Sequence, residues 1–235
     1  MRATLRMPLV SRHGMMPAAS RARRSGGGLC RALGGAVLLS AGSGAASAYT
    51  ATLNPASPQT IYLQVGVGSF TSDYISGGQP GRNTTVNTVT ATVPGAAVGN
   101  GAVQAMTTNS TATQSYWDNY VYCSVPSQLY IGGFYRTTGA ATAAAQVTAT
   151  VPAALIDASG DTLPFSKISW TSSGNGDSGG EPFPAGTFVS GGVQNVGSMA
   201  SNTWNESCLT FSYLNNTVPP FGTYTGVVLY TMTAP

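Results

Sequence analysis

Residues Asn87 to Val93 (Asn-Thr-Val-Thr-Ala-Thr-Val) place threonine at every second position with Val89, Ala91 and Val93 between, and this two-residue alternation recurs along the chain. It returns at Ile61–Val67, at Gln146–Val151 and over Tyr224–Thr233. A period of two puts every second side chain on one face of an extended backbone, so these segments read as half-buried strands. Turn signals separate them: Gly77-Gly78-Gln79-Pro80-Gly81, Gly160-Asp161, Gly174-Asn175-Gly176 and Pro219-Pro220-Phe221-Gly222. Helix is favoured by propensity only at Ala140–Ala145, which is too short to stand alone and runs into a strand. The expectation is an all-β chain, an antiparallel sandwich of immunoglobulin-like type.

The first 48 residues do not fit that pattern. Seven arginines and no acid fall within residues 1–31, followed by the short apolar run Ala32–Leu39 and by Ala46-Ser47-Ala48. A basic start, a modest apolar run and a small-x-small triplet spell a secretory signal peptide, cleaved after Ala48. Met15 or Met16 is an alternative start, and Sec export fits the Arg23-Arg24 surroundings better than a twin-arginine signal. The folded domain is then 49–235, either one unit or two related ones, 49–125 and 126–235. The identical hexapeptides Val89–Pro94 and Val147–Pro152 raise the second option, although a threonine-valine composition also repeats by itself.

Removing the leader reverses the charge. The whole chain is +3, but residues 49–235 keep only Arg82, Arg136 and Lys167 against seven acids, a net charge of −4. Nucleic-acid binding needs clustered basic residues, and none cluster there. The region carries no apolar run long enough for a membrane helix. Two cysteines remain, Cys123 and Cys208, and an even count in an exported protein predicts one disulfide. The single histidine, His13, belongs to the leader. Serine-histidine and cysteine-histidine catalysis and imidazole-based zinc sites are therefore not expected of the domain, and no cofactor motif is present.

The closing stretch Gly222–Pro235, GTYTGVVLYTMTAP, resembles the last strand of exported bacterial immunoglobulin-like domains, especially fimbrial and spore-coat-type subunits. The resemblance extends over Cys123–Pro235, which is similar to small secreted proteobacterial proteins. It implies a β-sandwich that joins copies of itself or other surface subunits by strand addition. In that setting Ile61–Val67 would be the donor strand.

Other candidate sites are local. Gly176-Asp177-Ser178-Gly179-Gly180 spells the sequence around the nucleophile of trypsin-like proteases, but Ser178 needs a base. With no histidine in the domain and Lys167 its sole lysine, the segment reads as a glycine-rich hairpin loop after Ile168-Ser169-Trp170. Asp157 with Asp161, and Asp177 with Glu181, are candidates for calcium, or are ordinary turn residues. Tyr116 and Tyr130 are candidates for stacking on a ligand, whereas Trp117, Trp170 and Trp204 read as core, with Trp117 and Trp204 packed near the disulfide.

These observations set the functional expectation. The chain reads as an exported, non-catalytic structural or adhesive protein of the periplasm, cell surface or medium. A carbohydrate-binding module is the alternative, followed by a hydrolase using Ser178.

Overall fold

The computed structural model describes residues 2–7, 51–71, 79–80, 83–138, 143–174 and 181–235. Along the chain run β1 (Arg2–Met7), β2 (Thr60–Val65), β3 (Phe70–Thr71), β4 (Gln79–Pro80), β5 (Asn87–Thr92) and β6 (Val103–Ala105). They are followed by β7 (Thr107–Thr108), β8 (Leu129–Arg136), β9 (Ala145–Val151), β10 (Ala154–Ile156), β11 (Thr162–Pro164) and β12 (Ile168–Ser173). The last five are β13 (Gly186–Thr187), β14 (Gly192–Met199), β15 (Thr203–Leu214), β16 (Thr223–Val227) and β17 (Leu229–Thr233). Two 3-10 turns are the only helical elements described. The all-β class follows from the alternation, and no described helix is long and apolar enough to cross a membrane.

One sheet runs β11-β10-β16-β1-β5-β7, and a second runs β13-β12-β15-β8-β2. The twelve-residue β15 organises the second sheet. Along one edge it pairs with β12, and along the other first with β8 and then with β6. A third set, β14-β9-β17, extends the first sheet, because β9 leads into β10 and β16 into β17. Sequence alternation reads Tyr224–Thr233 as one strand, and its inward set does continue through buried Tyr224, Val228, Tyr230 and Met232. The hydrogen-bond ladder nevertheless breaks at Val228. Thr225 pairs with Ile156 and Leu229 with Thr150, so the opposing strand has two extra residues around Pro152. Proline has no N–H to give the ladder, and a bulge forms there.

The two copies of the Val-Thr-Ala-Thr-Val-Pro hexapeptide take equivalent roles. In β5 Val89 and Ala91 are buried, with Val93 just beyond it, and in β9 Val147, Ala149 and Val151 are buried. The alternation therefore does the same work twice. It does not mark two separate cores, because β2 pairs with β8 and β6 with β15, across the 125/126 line. Residues from all the larger sheets meet in one main cluster that includes Val89, Val147, Leu155, Phe165, Phe211 and Tyr224.

Cys123 and Cys208 form the expected disulfide, 85 residues apart in sequence with Cα atoms 5.6 Å apart. Its packing differs from the sequence expectation. Tyr122, Tyr130 and half-buried Tyr116 surround it, together with Ala112. Trp204 instead sits with Leu53, Tyr62 and Phe134, and Trp117 packs against that group. Trp170 is core, its ring 4.8 Å from that of Phe188.

Candidate functional site

The most unusual feature for function is a strand position. β1 lies between β5 and β16, antiparallel to the first from Arg2↔Thr92 to Met7↔Asn87, and parallel to the second from Arg2↔Thr223 to Arg6↔Val227. Neighbouring strands stand about 4.8 Å apart, so β5 and β16 are held roughly 9.6 Å from each other with one strand's width between them. The floor of this slot is core. Ala3 is in register with buried Ala91 and Tyr224, and Leu5 with buried Val89 and with Gly226. A Cβ placed on Gly226 would come within 2.5 Å of Phe165 Cζ, so β16 rests directly on that ring. Tyr224 is anchored there by its hydroxyl, which donates to Pro220 O at 2.8 Å. Backbone N–H and C=O groups demand partners, and a strand in this position satisfies two facing edges at once.

A second feature is a buried carboxylate. Glu206 is 4% exposed on β15, and its Oε2 accepts hydrogen bonds from Tyr130 Oη at 2.6 Å and Trp204 Nε1 at 2.9 Å. Tyr122 Oη donates to the Glu206 carbonyl at 2.9 Å, tying the segment before β8 to β15 beside the disulfide. Burial pushes the Tyr130 phenol well above its ordinary range, and the neighbouring Glu206 charge pushes it further. Burial alone raises Tyr230 strongly.

A tyrosine in the unfolded chain ionises near pH 10. Because the folded forms of these two ionise only at higher pH, the unfolded state loses protons first. Stability is then intact below about pH 10 and falls above it. Urea midpoints taken at about pH 8 and about pH 11 should show this drop, and Tyr230→Phe should shrink it.

The residues singled out by sequence are dispersed. Tyr130 is wholly buried in the core, so its ring is not available to stack on a ligand. Tyr116 is half-buried, 5.7 Å from the Tyr130 ring, at the edge of a hollow of about 220 Å³ also lined by Thr111, Thr113, Gln114, Ser115 and Asn119. Asp157 and Asp161 form the β10–β11 turn. Asp157 Oδ1 accepts from the N–H groups of Ser159 and Asp161 at 2.9 and 2.8 Å, an Asx-type arrangement. Glu181 accepts from Gly174 N at 2.5 Å and Ser207 Oγ at 3.2 Å, bracketing the loop after β12. Asp177 and Ser178 lie outside the described residues. Among the described residues no three of histidine, cysteine, aspartate and glutamate gather as a metal-ligand set.

The segment expected to donate a strand is committed elsewhere. Thr60–Val65 pairs along its whole length with β8, and Tyr62, Leu63, Gln64 and Val65 are buried. Releasing it would strip β8 of one partner and uncover the buried side chains of Tyr62, Leu63 and Val65.

No family model, characterised protein or solved structure matches this chain. The functional reading therefore rests on the molecule itself.

Sequence reasoning missed β1, because the arginines around it read as a leader before its alternation is noticed. One signal was available: Ala3-Thr4-Leu5 repeats at Ala51-Thr52-Leu53, just after the expected cleavage point. In this second copy Ala51 and Leu53 are buried, and Thr52 bridges to Thr203.

Proposed function

We propose that this chain is an exported, non-catalytic structural or adhesive subunit of cell-surface or fimbrial type, joined to copies of itself or to other surface subunits by strand addition. One observation carries the reading: the strand between β5 and β16 comes from Arg2–Met7, within the segment whose composition spells a leader. A domain that has lost that leader must find another strand for the same position, and strand addition from a neighbour supplies one. Donor and acceptor surfaces then differ, and a head-to-tail contact of that kind propagates into a ring or a filament.

The test is made on protein recovered from the exported fraction of the producing cells. Unheated samples should run on denaturing gels as a ladder of multiples of the processed chain, and boiling should collapse the ladder to one band. A single monomer band at every concentration would remove the reading. The hollow beside Tyr116 favours a carbohydrate-binding module as the second reading. A monomer whose tryptophan or tyrosine fluorescence responds to glycans would move the assignment there.

A further inference from the structure

The strand in the slot has its own consequence, which rests on the strand-addition reading above. β1 reaches the rest of the described fold only through residues 8–50, yet all six of its residues are in register with β5 and five of them with β16. The core beneath is closed with β1 in place: Val89, Ala91 and Tyr224 are each 2% exposed or less. A strand held on both edges above a closed core leaves no room for a second strand to pair with β5 or β16. We propose that Arg2–Met7 is a built-in cap on the acceptor slot. A chain that retains these residues completes its own sheet and stays monomeric, whereas a chain that has lost them offers the slot to a strand of a second copy.

The cap is specified by backbone pairing, which suggests how to break it. Each interior residue of a central strand directs its N–H to one neighbour or the other, so proline at any of them removes a ladder bond and disturbs the pairing. Thr4 is the middle position, in register with Thr90 on one side and Thr225 on the other. The same position allows a covalent report. Cross-strand partners in an antiparallel pair have Cα atoms roughly 4.5–5.5 Å apart, within the span of a disulfide.

Two full-length variants, both in a Cys30→Ser background, separate the possible outcomes. Thr4→Cys with Thr90→Cys should cross-link on mild oxidation within one chain, at the monomer mass of 23.9 kDa, and stay monomeric at all concentrations. Thr4→Pro, with the slot freed, should move to multiples of that mass in light scattering. A synthetic peptide of residues 1–8 should return it to the monomer, and a scrambled peptide should not. Cross-linking only between chains, or no cross-linking, would overturn the cap whatever Thr4→Pro does. Cross-linking within the chain combined with a monomeric Thr4→Pro would mean the strand guards nothing. In that case the strand-addition reading fails, not the placement of β1. A Thr4→Pro chain that loses its sheet signal in circular dichroism and is not rescued by the peptide would make β1 part of the folding core, and would also overturn the cap.

Discussion

Replacing Cys123 and Cys208 together with alanine lowers the stability of the domain by about 4–5 kcal/mol, the largest loss expected from any change in covalent structure here. The bridge closes a span of 85 residues, and in the chain-entropy account its main effect is to restrict the unfolded ensemble. Both cysteines are buried, at 2% and 0% exposure, among Ala112, Tyr122 and Tyr130. Alanine therefore also leaves a small void but adds no buried polar group. Single domains have net stabilities of roughly 5–15 kcal/mol, so the double variant is expected close to its folding threshold. Urea unfolding followed by tryptophan fluorescence provides the check. The midpoint should fall while the slope rises, because an unfolded chain without the bridge exposes more surface. An unchanged midpoint would show that neither closure of the span nor the packing of the sulfurs contributes measurably to stability.

Gly133→Ala should be nearly as damaging, for an unrelated reason. A Cβ on Gly133 would fall 1.9 Å from Tyr62 O and 2.8 Å from Tyr62 C, both backbone atoms of the paired strand. Neither atom can yield unless β2 parts from β8, and φ of +157° already lies at the limit of what L residues adopt. Overpacking in a core costs about 1–3 kcal/mol and occasionally more, and backbone-on-backbone conflict belongs at the upper end. Gly160→Ala is the matched control. Its φ is +88° with nothing within 4 Å of the added atom, so only the left-handed backbone is penalised, by about 1–2 kcal/mol. The same urea measurement should separate the two clearly. Equal losses would mean that β2 can drift away from β8 at little cost.

The contrast between these two glycines reflects what was legible in the sequence. Alternation names the buried residues of β5 and β9, Val89 and Ala91 and then Val147 and Ala149, because a two-residue period is a local property of the backbone. The cysteine pair was also legible, through parity and compartment. Gly133 was not. Its requirement comes from Tyr62, seventy-one positions away in sequence, and no local pattern encodes which strand will lie alongside. Glu206 was missed for the same reason. Its partners Tyr130 and Trp204 identify it only once β8 and β15 are side by side. Tyr130 looked like a possible ligand platform because an aromatic in a strand has two faces available, and pairing decides which one is covered. The break at Val228 was half visible, since Pro152 announces a gap in a ladder, but the strand opposite the gap appears only in the fold. The slot between β5 and β16 was the least legible. It is filled by a segment that composition assigns to export, and composition is blind to registry.

The scarcity of cations also affects how the molecule meets proteases. Beyond the first 31 residues the chain offers a trypsin-like enzyme only Arg82, Arg136 and Lys167. Arg136 is 5% exposed, and its guanidinium is engaged with the carbonyls of Asn54 and Pro55. Lys167 closes a 3-10 turn with its ammonium on Asn216 Oδ1. The other seven cleavable bonds all precede Leu33. Two of the three such sites above residue 50 thus have their side chains held in hydrogen bonds, one of them buried, which leaves an enzyme of that specificity few bonds to attack in that region.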